Sequence, residues 1–173
     1  MEHIKIFCPN CWGENDYTCD VCSHCNEPLS QNNTEKYITK LLWALRHPIK
    51  EVAVRAAYVL GHIKNKSTIN DLIRTFQQAD DIFLKKAIIS ALGQIGTETS
   101  YIFLLTLLDD PTFSIRAEAL CSLKKLLVGL NTNYRHDLKD KLHKLIIKDT
   151  SELVRSLAQK LFQEIDKENN NSF

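Results

Sequence analysis

From residue 35 onward, apolar residues recur three and four positions apart with polar residues between them, and no stretch alternates with a period of two. This spacing puts one apolar stripe on each segment and predicts helices, not strands. The pattern also repeats. The blocks VAVRAAYVLGHI (52–63), LKKAIISALGQI (84–95), IRAEALCSLKKL (115–126) and VRSLAQKLFQEI (154–165) superimpose so that Leu60, Leu92, Leu123 and Phe162 correspond, at intervals of 32, 31 and 39. The segments before them give a second series, Leu45, Phe76, Leu108 and Ile146, at 31, 32 and 38. Two series that agree on one period mark an internal repeat, each unit being a pair of helices.

The A helices are predicted at 35–46, 67–78, 98–109 and 135–148, and the B helices at 50–64, 81–95, 112–128 and 150–167. The A-to-B turns carry matching punctuation: Pro48, Asp80, Asp110-Pro111 and Asp149. An acid before a helix accepts hydrogen bonds from its first amides, and proline is tolerated in the first turn. Gly61 and Gly93 occupy one equivalent position, where neighbouring helices are expected to approach closely. Ser30–Thr34 reads as a short polar linker or helix-capping segment, the stretch Gly129–Asn133 as a protruding loop, and Asn169–Phe173 as a frayed tail.

The repeated blocks resemble the HEAT-like repeat V-R-x-x-A-A-x-A-L-G-x-I, of the group that includes phycobilisome lyase-type repeats, over roughly residues 35–166. Arg116 and Arg155 match its arginine, while Ala53 and Lys85 depart from it. The resemblance implies an all-α fold, a right-handed α-α superhelix or HEAT-like solenoid of about four helix pairs, whose B helices line a concave surface. It also implies that the repeat arginine pairs with an acid of a neighbouring repeat. On the first B helix, Arg55, Tyr58 and His62 share one face at i, i+3 and i+7, and Lys86 is a counterpart in the next unit. These four are the candidate partner-binding residues, since tyrosine and arginine are common interface anchors.

The first 30 residues follow other rules. Five of the six cysteines, Cys8, Cys11, Cys19, Cys22 and Cys25, fall within 18 residues, and only Cys121 lies elsewhere. A tight cluster with no secretory leader in front of it suggests metal ligation in a reducing compartment, not a disulfide scaffold. Choosing Cys8, Cys11, Cys22 and Cys25 gives C-x2-C-x10-C-x2-C, two turns that can face each other as a tetrahedral sulfur site suited to zinc. Cys19 forms an alternative pair with Cys22, and His3 and His24 are nearby imidazoles. The segment CPNCWGENDYTCDVCSHCNEPL resembles the short zinc ribbons at the termini of bacterial and archaeal proteins, with Trp12 and Asn26 where those ribbons carry glycines. The resemblance implies one structural Zn2+. The expected organisation is therefore a zinc ribbon at 1–30 and a HEAT-like repeat domain at 31–173.

Charge narrows the choice of partner. The chain has 22 basic and 21 acidic residues, a net charge of +1. Residues 1–30 carry one lysine against five acids, and the remainder carries 21 basic residues against 16 acids. Global attraction to a polyanion is weak, although the lysines of 135–148 keep a nucleic-acid-binding or enzyme-accessory role as the competing hypothesis. No apolar run is long enough for a membrane span. No phosphate loop, G-x-S-x-G or H-E-x-x-H motif occurs. The expectation is a cytoplasmic, non-enzymatic protein-interaction or scaffold module without catalytic residues. Cys121 is expected to be a buried small hydrophobe, and Tyr37 and Trp43 to pack in the first A helix or against the ribbon.

Overall fold

The computed structural model describes residues 5–8, 11, 13–16, 18–29, 35–127 and 135–170. The expected linker at 30–34, the loop at 129–133, Trp12, His3 and the final residues 171–173 lie outside them. The chain divides into two compact units, Met1–Ala91 and Leu92–Phe173.

The first unit opens with an antiparallel pair, β1 (Lys5–Phe7) and β2 (Glu14–Asp16), in the register Lys5↔Asp16, Ile6↔Asn15, Phe7↔Glu14. Four helices follow: α1 (Glu35–Ala44), α2 (Lys50–Ile63), α3 (Ile69–Gln78) and α4 (Ile82–Ile95), the last reaching into the second unit. The second unit continues with α5 (Glu98–Thr106), α6 (Phe113–Leu127), α7 (Arg135–Lys148) and α8 (Glu152–Asn170). The eight described helices fall on the eight predicted ones, and the fold class is all-α and HEAT-like. Single 3-10 turns precede α3 (Lys66–Thr68) and follow α5 (Leu107–Asp109), completing the predicted spans. Helix α8 runs on to Asn170, so Asn169 and Asn170 are helical where fraying was expected.

Each helix buries the stripe that its sequence supplies. In α1 this is Tyr37, Ile38, Leu41 and Ala44, followed by Leu45; in α2 it is Ala53, Ala56, Ala57, Val59 and Leu60. Helix α1 packs on α2, and in the second unit α6 packs on α5 and α8, and α7 on α8. Small residues let the backbones approach. A Cβ built on Gly93 would stand 2.7 Å from the Ser122 Cβ, inside contact distance, so the closest approach of α4 and α6 requires glycine there. That is the close contact expected of this position.

The turns explain where the B helices start. Asp110 Oδ1 accepts from Thr112 N–H and Asp149 Oδ1 from Ser151 N–H, both at 2.8 Å. In the second unit of the repeat, Asp81, not Asp80, takes the capping role, accepting from Leu84 N–H at 2.8 Å. Its carboxyl is held below the usual range by that hydrogen bond, against the opposing effect of burial, with further help from Lys50. The reason is register: Asp81 immediately precedes α4, and Asp80 lies one residue too early.

The repeat arginines also act alike. Arg116 Nη1 donates to the Asp110 carbonyl at 2.7 Å, and Arg155 Nη1 to the Asp149 carbonyl at 2.7 Å, each reaching back six residues.

Candidate metal centre

Two tight turns bring four thiols together. Cys8 leaves β1 and donates its N–H to the Gly13 carbonyl at 2.9 Å, closing the first turn. Cys22 donates to the Glu27 carbonyl at 2.8 Å, and Asn26 N–H returns to the Cys22 carbonyl at 2.9 Å, closing the second. Asn26 takes φ of 57°, the left-handed conformation that glycine would otherwise supply. Gly13 serves a different purpose. A Cβ there would lie 2.3 Å from His24 Cδ2, so the imidazole covers the first turn only because the side chain is missing.

The Sγ atoms of Cys8, Cys11, Cys22 and Cys25 all lie within 4.8 Å of one another. Cys8 and Cys25 are 3.5 Å apart, and Cys11 and Cys22 3.6 Å. A tetrahedral four-thiolate site with metal–sulfur bonds of ~2.3 Å has sulfur–sulfur edges of about 3.8 Å, so the four donors fit one ion of that kind. Cys19 and His24 are exposed, and neither belongs to the group of four.

The surrounding donors favour negative sulfur. Cys22 Sγ accepts from His24 N–H and Asn15 Nδ2, and Cys11 Sγ from Gly13 N–H, all at 3.4 Å. Burial raises Cys22, but the His24 and Cys25 amides, the Asn15 amide and Cys8 outweigh it and lower the thiol to about 6. At Cys11 the Gly13 amide lowers the thiol, yet burial and the other three cysteines push it up to about 12. One thiolate forms readily and opposes the ionisation of its neighbour. A cation among them reverses that opposition, because metal ligands are held as thiolates.

Asn15 was part of the sequence pattern, but its role becomes visible only in three dimensions. It is 4% exposed and joins the two turns: Nδ2 donates to the Gly13 carbonyl at 2.8 Å, while Oδ1 accepts from Ser23 N–H at 2.8 Å and Ser23 Oγ at 3.1 Å.

The cysteine segment rests on the first helices. Glu14 of β2 forms an ion pair with Arg55 of α2. Ile6, Phe7 and Leu29 are buried, as is Tyr37 of α1. Burial pushes the Tyr37 phenol up to about 12, opposed by the Phe7 main chain and assisted by Cys8, which places this ring beside the cysteine segment as expected.

Of the candidate partner-binding residues, Arg55 is therefore engaged by Glu14. Tyr58 is exposed, His62 is half-buried on the same helix, and Lys86 is half-buried on α4. Two expectations are corrected. Cys121 is exposed, because Leu120, Ser122 and Leu123 take the inward phase of α6. Trp43 is 77% exposed, because Leu41, Ala44 and Leu45 fill the inward face of α1 and its continuation.

Among the described residues, no helix is long and apolar enough to cross a membrane. Residues 38–124, just over half of the chain, match the protein family described as HEAT repeats. No curated protein matches the chain.

Proposed function

Because the chain belongs to the HEAT-repeat family, we propose that it is a cytoplasmic, non-enzymatic protein-interaction or scaffold module whose residues 1–30 form a zinc ribbon. Cys8, Cys11, Cys22 and Cys25 would hold one structural Zn2+, which closes a segment too small to bury a core of its own. The observation that carries this reading is the donor set. Four thiols meet within 4.8 Å, enough donors to complete a tetrahedral site, which would leave no coordination position for water or substrate. The chain's own residues do the rest: Asn15 ties the turns, and the contact between Glu14 and Arg55 attaches them to the helices. The helix pairs supply the binding surface, with Arg55, Tyr58, His62 and Lys86 as candidate contacts.

Cobalt substitution tests whether the ion is structural. The visible bands of the cobalt-loaded chain should indicate four thiolates and should not change on adding azide. Bands that shift with azide would mean an open, reactive position. Duplex and single-stranded DNA, titrated at ~0.1 M salt where electrostatic binding would still be seen, should show no tight, salt-dependent association; such association would favour the nucleic-acid role.

A further inference from the structure

We propose that Trp43 anchors a docking site for a partner segment bearing a large apolar side chain flanked by aspartate or glutamate, seated in the two clefts that share this indole. The proposal rests on the scaffold reading above and gives it a location and a partner chemistry.

Trp43 is the most exposed of the large apolar side chains among the described residues, at 77%. It stands as a ridge between two hollows. One, of about 500 Å³, lies between α1 and α3 and is lined by Arg46 and Asp71 among others. The second, of about 390 Å³, lies between α1, α2 and β1 and is lined by Lys40, His47 and Phe7 among others. Both volumes are of the size that holds a side chain or a small ligand. Helical spacing makes the ridge: Lys40, Trp43 and His47 lie at i, i+3 and i+7, so the indole is flanked by an ammonium and an imidazole along its own helix and the turn after it. An indole offers a broad apolar face, one N–H donor and little rotamer entropy to lose, which is why tryptophan so often dominates interfaces.

Charge selects the occupant. Lys40 and Arg46 give the clefts a positive border, and the one acid among their described lining residues, Asp71, faces Arg74 of its own helix at 3.8 Å. His47 Nδ1 accepts from Ile49 N–H at 3.1 Å, which leaves Nε2–H as a donor. Carboxylates flanking an apolar anchor complement this border. An extended polyanion does not, because the adjoining residues 1–30 carry one basic residue against five acids.

The test is selection of peptides from a random display library on the full-length chain. Selected sequences, made synthetically with a fluorescent label, are measured by anisotropy, which reads the parent and a chain lacking Trp43 alike; quenching of Trp43 itself is followed in a Trp12→Phe background, where it is the sole tryptophan. The expected consensus is an apolar residue flanked by Asp or Glu. Trp43→Ala and the pair Lys40→Glu/Arg46→Glu should each weaken binding about tenfold or more, a change of ~1.4 kcal/mol or more. Trp43 and Arg46 are exposed and Lys40 is half-buried, and an unchanged melt confirms that each variant is folded. Peptides bound equally well by Trp43→Ala would overturn this site while leaving the scaffold reading intact. A library that yields no binder counts against both. An oligothymidine strand that quenches Trp43 at ~0.15 M salt would overturn the peptide assignment.

Discussion

Arg116 and Asp149 form a two-pronged ion pair across 33 residues: Nε donates to Oδ2 at 2.7 Å and Nη2 to Oδ1 at 2.8 Å. Their side chains are 10% and 3% exposed. The remaining donor, Nη1, reaches the Asp110 and Pro111 carbonyls, while Asp149 Oδ1 also accepts from Ser151 N–H. One guanidinium thus fastens its own A-to-B turn to the turn of the next repeat, as the resemblance implied for this arginine.

Removing either partner should be costly, because it leaves the other charge buried. Arg116→Met or Asp149→Ala is expected to lose about 3–5 kcal/mol in urea unfolding. The Arg116 hydrogen bond, opposed by burial and assisted by the Ser151 amide, holds Asp149 below the usual carboxylate range. The stability it contributes is therefore present above the unfolded-state value of ~3.9 and is lost as pH falls through the lower folded value. Arg116→Met should flatten that acid limb of the stability curve. An acid limb identical to that of the parent would show that the pair is not what holds the turns together.

Gly93 and Ser122 set the spacing of α4 and α6. Gly93→Ala should destabilise by about 1–3 kcal/mol through overpacking, since the new methyl meets the Ser122 Cβ. Ser122→Gly in the same chain should restore much of that loss in a double-mutant cycle. Additive effects of the two substitutions would mean that they do not meet.

The B helices α2 and α4 end alike. Lys64 N–H returns to the Leu60 carbonyl and Gly96 N–H to the Leu92 carbonyl, both at 3.2 Å, with φ of 56° and 73°. The lysine adopts a conformation that costs an L residue ~1 kcal/mol or more and glycine little. Lys64→Gly is expected to raise stability by about 0.5–1 kcal/mol, and a loss would contradict the left-handed cap.

The repeat was legible because it obeys periodicity twice over, in the helix and from unit to unit, so the spans 50–64 and 81–95 fell within a residue of α2 and α4. The four-thiol group was legible for a similar reason: two C-x2-C turns can close only a small number of ways. What failed was reasoning from residue type. Cysteine is usually buried, yet the neighbours of Cys121 had already claimed the inward phase; tryptophan usually packs, yet Leu41, Ala44 and Leu45 left Trp43 no interior side. The linking of the two turns by Asn15 was not readable at all, since it depends on Ser23, eight residues away in a second turn.

Residues 1–30 should stabilise the first helices as well as themselves. Stripping the metal with a chelator, or deleting the segment, is expected to expose the Tyr37 surface of α1 and lower the melting temperature of the helical part. Asn15→Ala should act in the same direction by leaving the Gly13 and Ser23 groups unpaired, costing about 1–3 kcal/mol and weakening metal retention. A helical melt indifferent to chelation and deletion would make the segment an independent appendage.

The most direct measurement is the zinc content of the purified full-length chain and of its single cysteine-to-serine variants, by elemental analysis. The parent should carry one equivalent; Cys8→Ser, Cys11→Ser, Cys22→Ser and Cys25→Ser should each lose or greatly weaken it, and Cys19→Ser should retain it. Zinc lost from Cys19→Ser and kept in one of the other four, or no zinc in the parent, would contradict a closed four-thiolate centre built from Cys8, Cys11, Cys22 and Cys25.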